Sequence, residues 1–304
     1  MLNYSIHASE SLTNNPLSSK VEHEASSLLT DAAKFCLPPN GTLLDGQSLL
    51  SFISSDIIRL PYPVVSLEFY TNCRNDVTTK HIVLCIDYES SPNNIFSVLA
   101  RKNNPQIDIT GGIIVVPISS KINEWELDGA IAVLYKKSTL NSNYTTSIYW
   151  NDERRLLDFN IDILPVTLTA MMFAINNSEH FTQHFTSIVD VHFIALWHTL
   201  VCLSCTNISF VKSPAPDKLN KKRIASGKRP LDEYRTIVIN NQSHKSTESR
   251  STMVDGSPRR LPREHMRRGH IRSMSSGKRI WINNMVIAAG RNRDKVQQTY
   301  KLVA

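Results

Sequence analysis

The chain has 304 residues, of which 41% are hydrophobic and 20% charged; this balance excludes a disordered or fibrous chain and allows a full-sized core. The net charge of +7 is unevenly divided: residues 212–304 carry 22 Lys/Arg against 7 Asp/Glu, a net +15, whereas residues 1–211 carry 12 against 20, a net −8. Two oppositely charged segments create a directed field that draws in an anionic partner and fades as salt rises.

Residues 1–15 are polar and predict a loose terminus, and Met1-Leu2-Asn3-Tyr4-Ser5 has neither the basic flank nor the apolar run of an export signal. Between Pro16 and Phe35, Val21, Ala25, Leu28, Leu29, Ala32 and Ala33 recur at helical spacing, and Pro38-Pro39-Asn40-Gly41 stops that helix. A second short helix is predicted over residues 47–57, with Leu49, Leu50 and Ile53 on one face. Strand signals then follow at 64–70, 82–88, 95–100, 113–118 and 130–135. Asp128-Gly129 lies between two apolar runs and predicts a tight hairpin turn, because such a turn needs positive φ. Residues 147–150 add a strand. Residues 166–175 and 189–205 read as helices apolar on most faces, buried against the sheet. The most apolar stretch, 188–205, is broken by Asp190, His192 and His198 and is too polar to span a membrane. The prediction for residues 1–211 is an acidic α+β body, a mixed or antiparallel sheet packed against buried helices.

From Pro214 the texture changes. Pro214-Ala215-Pro216 reads as a linker into a basic C-terminal module, residues 212–304. Lys218 to Pro230, which includes Lys221, Lys222 and Arg223, predicts a short helix capped by Gly227, followed by a strand at 234–239. Residues 240–262 are rich in Ser, Thr, Asn, Gly and Pro and predict a mobile loop. Two extended runs around Ser275-Ser276-Gly277-Lys278 predict a basic β-hairpin, with residues 296–303 as a final strand. Alternation places Arg268, His270 and Arg272 on one face and Arg267, Gly269 and Ile271 on the other. The basic helix and the hairpin are expected to form one patch.

Few residues point to catalysis. His180 and His184 are spaced for zinc on one helix face, but the glutamate of a zinc protease is absent. Cys202-Leu203-Ser204-Cys205 with His198 falls in an apolar helix, where core cysteine is the ordinary outcome. Asp87 and Glu89 have strand spacing without a partner motif. Phosphate-binding loops, the dinucleotide turn and the nucleophile elbow are all missing. The five scattered cysteines suit reduced thiols in a cytoplasm. No metal or cofactor is expected.

The basic tail suggests a nucleic-acid surface, for RNA in preference to DNA or for a ribonucleoprotein. Arg267, Arg268, His270, Arg272, Lys278 and Arg279 would meet phosphate, with Lys221, Lys222 and Arg223 as a second anchor and Trp281 and Tyr300 stacking on bases. Four other readings stand beside it. The charges could guard an edge strand; the module could dock on the chain's own acidic body; His265 and His270 could be the acid/base pair of a metal-independent ribonuclease; or the tail could clamp an acidic host protein.

The segment Pro262-Arg263-Glu264-His265-Met266-Arg267-Arg268-Gly269-His270, followed by Ile280-Trp281-Ile282, resembles the Pro-x-x-His-x-Arg-Arg-Gly-His ending of many phage and mobile-element proteins. It also resembles the ending of the type V-A anti-CRISPR proteins that lower production of the Cas effector nuclease. Leu219-Asn220-Lys221-Lys222-Arg223 through Gly227-Lys228-Arg229-Pro230-Leu231 fits the same group. The resemblance covers the last 70 to 90 residues or so, with only a similar order of apolar segments before them. It implies a viral protein in a bacterial host's cytoplasm that acts on a host defence protein or its nascent peptide. The first 210 residues depart from that pattern, so the target and any site residues are not carried over.

Overall fold

The computed structural model describes residues 3–14, 19–43, 49–72, 78–103, 112–121, 124–136, 147–150, 153–156, 159–165, 178–239, 265–267, 270–282 and 285–287. Its helices and strands build the α+β fold that the patterning predicts.

Helix α1 (Tyr4–Asn14) occupies the stretch expected to be loose, and it buries Ser5, Ile6, Ala8, Ser9 and Leu12. Its inward face holds small hydroxyls that bond internally: Ser9 Oγ lies 2.7 Å from Ser26 Oγ. That is why it reads as polar. Helix α2 (Lys20–Asp31) starts at a capping box between Ser19 and Glu22 and ends at Ala32, whose extended backbone (ψ 142°) turns the chain into β1 (Ala33–Cys36). The single predicted helix over this stretch is therefore a helix and a strand. Of the helix predicted over 47–57, residues 47 and 48 lie outside the described residues, Leu49 is helical, and two 3-10 turns follow, Leu50–Phe52 and Ser55–Ile57.

The sheet continues through β2 (Val64–Asn72) and β3 (Thr78–Asp87). The strand expected at 95–100 is instead α3 (Ile95–Asn103). Asn94 Oδ1 accepts from Ser97 N (2.8 Å), a helix cap, and Ile95, Phe96, Leu99 and Ala100 follow helical rather than alternating spacing. Strands β4 (Ile113–Lys121), β5 (Glu124–Leu127) and β6 (Ala130–Lys136) follow.

Asp128-Gly129 does not turn a hairpin. Strands β5 and β6 pair in succession with the same edge of β4, Ile118 opposite Leu127 and Val115 opposite Ala132. The two extra residues form a bulge. Pro117 causes it: its carbonyl accepts from Asp128 N (3.1 Å), but it has no N–H to continue the ladder on that edge. Gly129, at φ 85°, absorbs the kink.

Strands β7 (Ser147–Trp150) and β8 (Glu153–Leu156) pair with each other, and β9 (Phe159–Pro165) pairs with β6. Helix α4 (Ser178–Leu203) contains the apolar stretch predicted as helical. No helix of the described residues is long and apolar enough to cross a membrane. The described residues continue with β10 (Ile208–Ser213), α5 (Asp217–Ala225), β11 (Tyr234–Ile239), β12 (His265–Arg267), β13 (His270–Ser273), β14 (Arg279–Ile282) and β15 (Met285–Ile287). The helix expected at 166–175, the loop at 240–262 and the strand at 296–303 lie outside the described residues.

The main sheet is mixed, in the order β10-β11-β1-β2-β3-β4-β6-β9, with β5 also on β4. Strand β1 runs parallel to both β2 and β11. The boundary expected at residue 212 falls inside β10, and β11 belongs to the body's own sheet. Period-two alternation then separates two cores. Val83 and Cys85 face one side, where Ala195, Leu196, Leu200 and Val201 of α4 cover them. Ile82, Leu84 and Ile86 face the other, under Leu12 of α1, Leu29 of α2 and Phe96 of α3. Each fully buried aliphatic side chain contributes roughly 1.5–3 kcal/mol, so both layers hold the sheet.

Candidate nucleic-acid interface

Helix α5 begins at Pro216 with Asp217 in its first turn and ends with Lys222 and Arg223 in its last, an order that favours the helix dipole. Past its end, Gly227 (φ 69°) and Lys228 send N–H groups back to Ile224 O and Arg223 O (3.0 and 2.8 Å). None of its nine residues is buried. So short a helix does not persist alone, and side-chain tethers hold this one.

Asn220 clamps the Leu231 main chain, donating to its carbonyl (3.1 Å) and accepting from its N–H (2.7 Å). Arg223 Nε donates to Arg229 O (2.7 Å), and its guanidinium lies 3.8 Å from Glu10 of α1. Arg229 reaches Thr30 Oγ1 of α2 (2.6 Å) and pairs with Asp232 (3.6 Å). At about 3.6 residues per turn, Asn220 and Arg223 occupy one side of α5 and Lys218, Lys221 and Lys222 the opposite side. Those three lysines and Lys228 are exposed, and Leu219 (44%) and Ile224 (60%) flank the stripe.

The hairpin follows the same division. Strands β13 and β14 pair antiparallel, Ile271 opposite Trp281 and Ser273 opposite Arg279. Ile271 is buried and Trp281 packs against the α4-side core. The Trp281 N–H and carbonyl are both held by the Asn207 side chain (2.8 Å each). Arg279 shares the inward face with Trp281, and it pairs with Asp56 (3.1 Å) over the Phe52 ring. Arg272 and Lys278 are exposed, and His270 is half-buried.

The expected phosphate contacts therefore divide. Lys221, Lys222, Arg272 and Lys278 face solvent, whereas Arg223 and Arg279 are turned onto carboxylates of the body. Trp281 is a packing residue. Arg268 and Tyr300 lie outside the described residues, and Arg267 lies in β12. His265 in β12 and His270 in β13 belong to separate two-stranded ladders. Among the described residues, the basic helix and the hairpin lie on different layers: α5 is tied to the layer of α1 and α2, and the hairpin to the opposite layer with α4.

Two buried polar clusters escape sequence reading. Glu68, fully buried, accepts from the first N–H groups of α1, Tyr4 (2.8 Å) and Ser5 (3.0 Å), and from the Ser5 (2.5 Å) and Tyr234 (2.7 Å) hydroxyls. Burial raises its pKa against the pull of those donors. On the other face, His81 stacks on Phe69, meets His192 edge-on and lies 2.9 Å from Thr71 Oγ1. The bulge aims Asp128 at this group, 3.5 Å from His192 and accepting from Ser119 (2.5 Å). Burial pushes the His81 pKa down to about 4. The serine hydroxyl points to the carboxylate rather than to an imidazole, so this is not a nucleophile and base arrangement.

His198 is buried and its ring accepts from Leu43 N (3.3 Å), while burial holds Cys202 and Cys205 as thiols in the core. Among the described residues no group of three or more His, Cys, Asp or Glu is placed to hold a metal ion. A cleft beside Tyr62 is lined with charges that pair with each other, Lys34 with Asp232 (2.9 Å) and Arg235 with Glu233 (3.2 Å). Comparison with protein-family models, with curated proteins and with solved structures returns no match to this chain.

Proposed function

We propose that this chain is a non-enzymatic binding protein that engages RNA, alone or in a ribonucleoprotein, through the outer face of α5. The observation that carries this reading is the sorting of basic residues by side. The inner face is held by Asn220 and Arg223, while Lys218, Lys221 and Lys222 line the opposite, exposed face with Lys228 just beyond. A helix fixed in place with its ammonium groups outward meets phosphate without first ordering its backbone, which lowers the entropic cost of binding. Arg272 and Lys278 supply a second, smaller cationic surface. The tail's resemblance to phage anti-CRISPR endings suggests a role against host defence, without identifying the target.

Affinity for RNA measured across a salt series tests the reading. Each phosphate neutralised contributes about 0.9 to the slope of log affinity against log salt on a duplex. Changing Lys218→Gln, Lys221→Gln and Lys222→Gln together is expected to lower the slope by about 2–3 and to weaken binding by roughly 10–100-fold at low salt. An unchanged slope removes the electrostatic mechanism. Binding to an acidic protein that survives nuclease treatment, with none to RNA, would identify a protein clamp instead.

A further inference from the structure

We infer that the RNA recognised through α5 is double-stranded and is read by its phosphate framework rather than by its bases; this rests on the reading of α5 as an RNA surface. Single strands are gripped by stacking bases on exposed aromatic rings, each stacked base contributing substantially to affinity. Among the described residues, the α5 surface has no such ring. Its exposed side chains are Lys218, Leu219, Lys221, Lys222, Ile224 and Lys228, with Asp217 at the start of the helix and the small Ala225 and Ser226 near its end. Among the residues whose side chains are described, the exposed large hydrophobic ones are Val98, Val211, Leu219, Ile224 and Met274, none of them aromatic. Trp281 and Tyr234 are occupied, one by packing on the core and one by Glu68, and the Tyr62 ring lies under the Arg235 guanidinium (4.7 Å).

Without stacking, affinity follows phosphate density. A duplex presents one charge per about 1.7 Å of axis, about twice the density of one strand. Lys218 and Lys222 are one turn apart, about 6 Å along the helix axis at ~1.5 Å per residue, with Lys221 between them on the same face. These ammonium groups are point charges with freely rotating donors, suited to phosphate and poorly suited to the planar, two-pronged reading of a base edge that arginine performs. The arginines nearest to α5, Arg223 and Arg229, are spent on holding the helix. An A-form duplex, recognised by shape and backbone across its shallow minor groove, fits a short cationic ridge with two aliphatic shoulders.

The test compares the intact protein's affinity for a 20-base-pair RNA duplex, a second duplex of scrambled sequence and a 20-nucleotide oligouridine, all at equal phosphate concentration and the same salt. The expected result is that both duplexes bind within about twofold of each other and at least roughly tenfold more tightly than oligouridine, the balance of charge density over stacking. Oligouridine bound as tightly as the duplexes, or one duplex strongly preferred over the other, overturns the inference while leaving the RNA reading intact. If none of the three binds, the RNA reading falls with it. The comparison uses the unaltered chain, so no variant's folding enters the result.

Discussion

His81 is held neutral by its surroundings. It is enclosed by Phe69 and His192, and the carboxylate of Asp128 is not enough to offset desolvation and the neighbouring imidazole. Its folded pKa of about 4 lies below the ordinary 6.5, so the unfolded chain takes up the proton first as pH falls. The stability this group contributes is complete above pH ~6.5 and lost as pH falls through about 4. A difference of that size amounts to at most about 3 kcal/mol. His198, lowered to about 4 by burial alone, acts in the same direction. Urea unfolding at pH 7, 6, 5 and 4 should show falling stability, and His81→Gln should flatten that dependence by about 1–3 kcal/mol. A variant as acid-sensitive as the parent would show that His81 is already charged in the fold. Neither this histidine nor Glu68 was legible in the sequence: Glu68 falls inside the strand predicted at 64–70 and His81 just before the one at 82–88, nothing local marks either as buried, and only α1 and α4, packed on the two faces of the sheet, reveal them as interior.

At the scale of elements, strands written as short apolar runs were legible, and so was the apolar part of α4, because their residue types mark them without knowledge of a distant partner. Elements that depend on partners far along the chain were not: α1 hides its amphipathic face behind serines whose bonds are made to α2 and β2, and the β4 to β6 bulge needs knowledge of which edge Pro117 faces. The basic stretch was legible as basic, but not which of its side chains would turn inward. Close packing between elements also sets a test. Gly41 (φ 67°) lies under α4, where an added Cβ would sit 2.5 Å from Ala195 Cβ, whereas Gly227 (φ 69°) has nothing within 4 Å. Both substitutions by alanine incur left-handed backbone strain, about 1–2 kcal/mol. Gly41→Ala adds overpacking, for a total of roughly 2–4 kcal/mol. Thermal melts should therefore separate the two variants, with Gly41→Ala clearly the lower. Equal melting temperatures would mean that α4 yields without cost.

On the scale of the whole molecule, the acidic body and the basic tail are less separate than their charges imply. Arg223 on Glu10, Arg279 on Asp56 and Lys34 on Asp232 stitch the two together, and β11 completes the body's sheet. Among the described residues, the tail's outward charges include two groups on opposite layers, Lys218, Lys221, Lys222 and Lys228 on α5, and Arg272 and Lys278 on the hairpin. The sheet separates the layers to which the two are tied, so a short, stiff duplex is expected to reach one surface at a time. Groups that distant and without shared partners act independently, their effects adding within about 0.5 kcal/mol. On a short duplex, Arg272→Gln with Lys278→Gln should change the affinity of the α5 surface by less than about twofold. Combined with the three α5 lysine changes, the losses should sum without coupling. A coupling well above that limit would mean that one RNA touches both layers together, which requires the duplex to bend around the sheet edge or the hairpin to leave the α4 layer on binding.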